Sequence, residues 1–312
     1  MAGPRRAGHH LVVPAQDQSR RARIRAQAAA RHRGAEASED FSGSFTALGA
    51  LAYSGARVSA NVIDLGTGTT LFSADDRVVL PTAGIGRILL LIEVSARLSG
   101  GDYSGLGILD KTTTDAAAGA GLWRHLQAPA LPAVDLAALI GSTSDNLATN
   151  TLLQQIGLDA VHARAESLDL SHIALLDRVR ERRGPDDAPD VSVGSTAELS
   201  GLFAALARDQ VVDAPTSRRV LGWLSLGYDL SGVASAFGLD PLSHRSVDAG
   251  FQVINTTGTA PGVRSEAGLL YGPKAAAADA VTVTFEDTGL PVRLRVIDAL
   301  RRIGYDLLEH VS

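Results

Sequence analysis
The chain has 312 residues, 45% of them hydrophobic, enough to bury a substantial core in one large domain or two closely joined ones. It contains no cysteine, which excludes a disulfide framework and a thiolate metal site. Its eight histidines form no His-x-x-x-His pair, so His125, His162, His172 and His244 read as surface or core residues, and neither metal nor cofactor is expected.

The net charge of −5 is unevenly spread: residues 1–34 carry eight arginines against the single acid Asp17, a surplus of seven that leaves −12 for the rest. Residues 1–40 therefore read as an Arg-rich, disordered tail, the one place suited to an anionic partner, and residues 41–312 as the folded domain. An acidic domain argues against a nucleic-acid surface. No stretch has the apolar length of a membrane span. The longest early apolar run, Leu11-Val12-Val13, stops at Pro14, and neither Arg5-Arg6 nor Arg20-Arg21 precedes a hydrophobic region, so the chain as written reads as cytoplasmic.

Residues 45–53 have helical spacing, and Val58, Ala60 and Val62 alternate with polar residues as in a strand. Gly66-Thr67-Gly68 turns the chain into a second strand over 70–73. Residues 84–98 are apolar almost all round, which requires a buried helix. Short Ala- and Leu-rich helices are expected over 110–207, interrupted by a charged loop over 177–196, and helices resume through 226. Three strands are expected near 249–257, 263–271 and 280–285. A last helix places Val292, Val296, Leu300, Ile303 and Leu307 on one face. Strands at both ends around a helical middle imply an α+β fold, with one antiparallel sheet assembled from both termini.

Within the helical middle, Ser144-Asp145-Asn146 opens a helix, with Asp145 or Ser144 as the cap and Leu152, Leu153 and Ile156 as its apolar stripe. Alone, such a tripeptide is an ordinary helix start. It gains meaning from its companions, because Ser-x-x-Lys, Ser-Asp-Asn and Lys-Thr-Gly, in that order, are the motifs of class A β-lactamases and penicillin-binding proteins. The chain resembles that family over about residues 56–287. Residues 55–68 look like its first hairpin, Pro81-Thr82-Ala83-Gly84-Ile85-Gly86-Arg87 stands where the Ser-x-x-Lys helix begins, and Thr256-Thr257-Gly258-Thr259 is similar to the third motif, followed by Arg264.

The resemblance implies about five antiparallel strands flanked by helices, an α/β part at 41–83 and 228–312, and an inserted all-helical part at 84–227. It also puts Gly84 at the nucleophile and Arg87 and Thr256 at the two lysines. Lysine occurs only at Lys111 and Lys274, so no Ser-x-x-Lys exists anywhere in the chain. A guanidinium stays protonated and cannot serve as the general base. Arg87 is read either as one partner of an ion pair filling the lysine space or as an anion ligand. The family's deacylating glutamate lies in an Ω-shaped loop matching about 177–190, where Glu181 is the nearest carboxylate: a weak base candidate, or a solvated charge beside Arg180, Arg182 and Arg183.

A ligand-holding set remains by resemblance: Ser144, Asn146, Thr257, Gly258, Thr259 and Arg264, with backbone oxyanion donors at Gly84 and Thr259. The same residues also read as remnants of the fold. Three functions follow as expectations. The first is a catalytically inactive homologue binding a small carboxylate-bearing or β-lactam-like ligand, or a protein partner, in the old cleft. The second is a β-lactam or related amide or ester hydrolase using a relocated group such as Ser144. The third is a closed scaffold. The family is usually exported, unlike the reading of the N-terminal residues above.

Overall fold
The computed structural model describes residues 41–103, 106–111, 119–245, 247 and 250–312. The tail expected over 1–40 lies outside the described residues. In chain order, helix α1 (Ser42–Tyr53) leads into strands β1 (Arg57–Asp64), β2 (Thr70–Ala74) and β3 (Leu80–Pro81), then helix α2 (Arg87–Gly100). Strands β4 (Ile108–Asp110) and β5 (Ala130–Pro132) precede helices α3 (Ala133–Thr143), α4 (Asn146–Ile156) and α5 (Leu158–Ser167). After β6 (Ile173–Leu175) and β7 (Ser192–Gly194) come α6 (Thr196–Ala207) and α7 (Ala214–Leu224). The chain closes with β8 (Gln252–Ala260), β9 (Val263–Tyr271), β10 (Ala276–Thr284) and α8 (Leu290–Val311).

The main sheet has the order β2-β1-β10-β9-β8 and is antiparallel throughout, so the N-terminal hairpin joins the C-terminal strands through β1 and β10. This is the α+β architecture expected from strands at the two ends. The helical middle also carries two small sheets, β3-β7-β6 and β4-β5. Their strands are two or three residues long, too short for any alternation to show in the sequence.

Two apolar cores lie on the two faces of the main sheet. One, under α1 and α8, joins Phe41, Leu48, Val58, Phe72, Val281, Leu300 and Ile303, with Phe41 stacked on Phe72 at 5.7 Å. The other joins the sheet to the helices and is centred on α2, where every residue from Arg87 to Ala96 is buried. Truncating Leu90 at its centre to Ala should cost about 2–5 kcal/mol. Burial all round explains the missing polar face, and Gly101, in the left-handed region at φ 74°, ends the helix. The only acid in α2, Glu93, is held by Arg97 at 2.7 Å and Arg164 at 2.8 Å.

Strand β1 shows how sequence alternation can mislead. Ser59 and Asn61, between the apolar residues, are as buried as Val58 and Ala60. They face α6 rather than water: Ser59 hydrogen-bonds Thr196 at 2.7 Å, and Asn61 accepts from Ser200 at 2.7 Å. Polar residues here mark a second packed face of the sheet.

Candidate functional site
The turn before α2 is built around Ser192 of β7. Its hydroxyl donates to the Ala83 carbonyl at 2.7 Å and accepts from the Gly86 N–H at 3.1 Å, and its backbone carbonyl accepts from the Thr82 N–H at 3.0 Å. Held this way, Ala83 takes φ 51°, a left-handed conformation that costs a residue with a Cβ of order 1–3 kcal/mol and clusters at sites where the surroundings impose it. Strand β8 packs directly on the turn: a Cβ on Gly258 would lie 2.1 Å from the Thr82 carbonyl oxygen. Glycine at 258 is thus a condition for bringing β8 beside Gly84.

The second wall is the reversal between α3 and α4. Ser144 ends α3 in the left-handed region at φ 51°, and Asp145 caps α4 by accepting from the Ala148 N–H at 3.0 Å. The other carboxylate oxygen of Asp145 accepts from the N–H groups of Leu122 and Trp123 at 2.7 and 2.8 Å. A buried carboxylate satisfied by three backbone donors fixes where its neighbours stand.

Between these walls lies Arg87, only 8% exposed. Its guanidinium donates to the Ser144 carbonyl at 3.1 Å and to Asn146 Oδ1 at 2.8 Å. Burial lowers its pKa to about 10, opposed by the charge of Asp145, so it remains a cation at neutral pH. No carboxylate lies within salt-bridge distance of it among the described residues.

The charged loop forms the third wall. Asn150 of α4 holds the backbone of Val179 in both directions, donating to its carbonyl at 2.9 Å and accepting from its N–H at 2.8 Å. Asp177 ties the loop together through Arg180 at 2.7 Å and Arg183 at 2.9 Å. Burial opposes ionisation of Asp177, but the hydrogen bonds from Arg180, the Arg178 N–H and Arg183 outweigh it and keep the carboxyl below its usual range.

These walls enclose a cavity of about 740 Å³. Of the residues singled out in the sequence, Gly84, Arg87, Ser144, Asn146, Glu181, Thr256, Thr257 and Thr259 line it. Gly258 is buried against Thr82 beneath it. Arg264 is not among the lining residues; its Nη1 turns back to the carbonyls of Ala260 and Val263 at 3.1 and 2.8 Å. Glu181 is exposed at the rim. The Ser144 hydroxyl has no hydrogen-bond partner among the described residues, so no base is positioned to activate it. Three residues that shape or line the cleft went unmarked in the sequence: Ser192, which shapes the turn; Val179, an apolar residue held at the wall; and Asp229, whose carboxylate accepts from the Thr257 hydroxyl at 2.7 Å. Each is joined to the site by tertiary contact alone and carries no local signal. Among the described residues, no group of three His, Cys, Asp or Glu side chains is placed to hold a metal ion. No helix among them is long and apolar enough to cross a membrane.

An edge strand bearing Thr256-Thr257-Gly258, packed against a turn that leads into a buried helix and faced by a Ser-Asp-Asn reversal, defines a β-lactamase-like α+β protein. The chain belongs to the β-lactamase enzyme family, whose sequence model matches residues 43–311. Among solved structures it is similar to a β-lactamase from Sphaerobacter thermophilus DSM 20745, at 24% identity and TM-score 0.74, over 87% of this chain and 97% of that one. A class A β-lactamase from Mycobacterium abscessus matches at 18% identity and TM-score 0.68, over 85% and 98%. A mutant of PBP-A, solved as an acyl-enzyme complex with penicillin G, matches at 15% identity and TM-score 0.67, over 86% and 96%. At these identities the likeness establishes the fold alone. A search of curated protein sequences finds no significant match.

Proposed function
We propose that this member of the family lacks serine acylation chemistry and uses the inherited cleft to bind a small carboxylate-bearing ligand. The observation that carries this reading is the relation of Gly84 to Arg87. A side chain at 84 would begin 2.8 Å from Arg87 Nη1, so the guanidinium occupies the room a nucleophile would need. Acyl transfer requires a nucleophile and a group that takes its proton. Gly84 supplies neither, and Arg87, protonated at neutral pH, cannot take the proton. What supports binding is a cavity that is polar and open around Ser144, Asn146, Thr257 and Thr259.

A second reading, a hydrolase with a relocated hydroxyl, has one pair in its favour: Thr257 Oγ1 donates to Asp229 Oδ2 at 2.7 Å. Both are tested by incubating the purified protein with a chromogenic cephalosporin, beside the Gly84→Ser/Arg87→Lys/Thr256→Lys triple variant and a metal-free control. We expect no turnover by the unmodified chain and a covalent acyl adduct on the triple variant. Turnover by the unmodified chain that disappears in Thr257→Val or Ser144→Ala would overturn the inactive reading and identify the relocated nucleophile.

A further inference from the structure
A further side of the cavity, formed by Gly227, Tyr228 and Asp229, is tied to a buried acid outside it, Glu266 of β9. The carboxyl of Glu266 holds one short stretch of chain at both ends. At the far end Oε2 accepts from the Val233 N–H at 2.7 Å and Oε1 from the Ala234 N–H at 3.2 Å, where a 3₁₀ turn (Val233–Phe237) begins. At the near end Oε1 accepts from Asn255 Nδ2 at 2.8 Å, and the same nitrogen donates to the Asp229 carbonyl at 3.1 Å. An amide nitrogen carries two hydrogens, so Asn255 serves both acceptors at once. Residues 229–234 are thus strapped across a single carboxyl. Gly232 passes so close that a Cβ there would stand 2.1 Å from Oε2.

The strap reaches the cleft through Asp229. One oxygen of its carboxylate accepts from the Thr257 hydroxyl at 2.7 Å, the other from the N–H and hydroxyl of Ser231 at 3.1 and 2.6 Å. A path of contacts therefore runs from the core to the cavity, from Glu266 through Asn255 and Asp229 to Thr257. The acids facing Glu266 are Asp229 and buried Asp279 on β10. Two cations of the same region are engaged elsewhere. Arg264, two residues earlier on the same face of β9, turns to the carbonyls of Ala260 and Val263 beside Arg293 of α8, and Arg301 of α8 meets the 3₁₀ turn at Ser235 Oγ, 3.1 Å away.

Burial pushes the Glu266 carboxyl up to about 7, against its hydrogen bonds and with the charge of Asp229 adding to the rise. Its proton thus comes and goes near neutrality. Hydrogen bonds to an ionised acceptor are roughly twice as strong as neutral ones, so losing the proton draws Asn255 toward Glu266. The new charge, shielded from water, also repels Asp229. Both effects act on the same strap.

Taking the cleft as a binding site, we propose that Glu266 is a positioning residue for it: loss of its proton, passed on through Asn255, shifts Asp229 and with it the partner of the Thr257 hydroxyl. The side of the cleft at 227–229 then has two settings. A carboxylate-bearing ligand binds better to the protonated one, because the other places a second negative charge behind Asp229.

The test follows carboxyl carbon and backbone amide resonances of the full chain as pH is raised through neutrality. Asp229 Cγ and the amides of Tyr228 and Asp229 should step together with Glu266 Cδ, at a midpoint of about 7. Glu266→Gln should abolish the step at all of them. Asn255→Leu keeps the bulk of the side chain but removes both donors; it should preserve the step at Val233 and Ala234 and lose most of it at Tyr228 and Asp229. A step at Asp229 that survives Glu266→Gln, or stays as large in Asn255→Leu, overturns the coupling. If neither variant folds, the unmodified chain decides, since Glu266 titrating while Tyr228 and Asp229 stay flat overturns it too. Acetate, as the carboxylate probe, should bind about threefold or more weakly above the midpoint than below it, and equally in Glu266→Gln. Acetate binding that ignores pH in the unmodified chain overturns the effect on the ligand. A chain that binds no acetate at any pH counts against the binding reading, while the resonances, which need no ligand, still decide the coupling.

Discussion
Two walls of the same cleft are held by opposite means. The Ser144–Asn146 reversal rests on a buried carboxylate whose three hydrogen bonds all come from backbone donors, from the loop at Leu122 and Trp123 and from the first turn of α4. The 177–190 loop rests on partly exposed ion pairs around Asp177 and on the clamp from Asn150. Buried, fully satisfied polar groups specify one geometry, because any alternative strands them without water. Exposed ion pairs exchange readily with solvent and specify little. The cleft thus has one rigid side, which carries Arg87, and one adaptable side, which is where a relative can change its ligand without refolding.

The comparison breaks most visibly at Asp145. Asp145→Ala leaves three backbone N–H groups without an acceptor, those of Trp123 and Ala148 in buried hydrogen bonds, and should destabilise the protein by on the order of 2–4 kcal/mol, read as a lowered denaturant midpoint. Asp145→Asn should lose less. If Asp145→Ala were nearly neutral, the rigid wall would have to be held by packing alone.

A third carboxylate sharpens the contrast. Glu266 of β9, 2% exposed, also accepts from backbone, at Val233 and Ala234, and from Asn255 Nδ2 at 2.8 Å. Burial nevertheless pushes its pKa from 4.5 up to about 7, against those hydrogen bonds, and buried Asp279, itself raised by burial and by Glu266, is its acidic neighbour on the adjacent strand. The native state holds a proton that the unfolded state releases between about pH 4.5 and pH 7. Stability should therefore fall as pH rises through that window, by on the order of 3 kcal/mol, and level off above it. Glu266→Gln should flatten the slope. A slope that persists in that variant would assign it elsewhere, Asp279 first.

These cases show what could be read from the residues. The buried helix α2, the capped start of α4 and the three C-terminal strands were legible because apolar runs, a cap and alternation are local patterns. The strand now at 252–260 was expected at 249–257, an error at an end where Gly250 and the residues around it give no apolar alternation. Ser144, Asn146 and Thr257 could be singled out because they sit in short motifs. Ser192, Asn150, Asp229 and Glu266 could not, since each acts on a partner 28 or more residues away, or on a strand neighbour that only the register reveals. Arg87 was visible as a substitution, but not as a buried cation with no carboxylate within salt-bridge distance among the described residues. That is a fact of three dimensions.

The adaptable wall offers the two smaller effects. Asn150→Ala frees both backbone groups of Val179 and should cost about 1–2 kcal/mol, with amide exchange quickened over 177–190 and unchanged at the Asp145 cap. Arg183→Gln removes one arm of the Asp177 pair and also the 2.6 Å bond to the Ala188 carbonyl. Because Arg183 and Asp177 retain some exposure, its stability cost should be about 1 kcal/mol or less and should shrink further in high salt. Its effect belongs instead to the motion of the loop: amide exchange should quicken over 177–190 and stay unchanged at the Asp145 cap. Quickened exchange at the Asp145 cap in Arg183→Gln would mean that the two walls move together, and the division of the cleft into a rigid side and an adaptable one would fail.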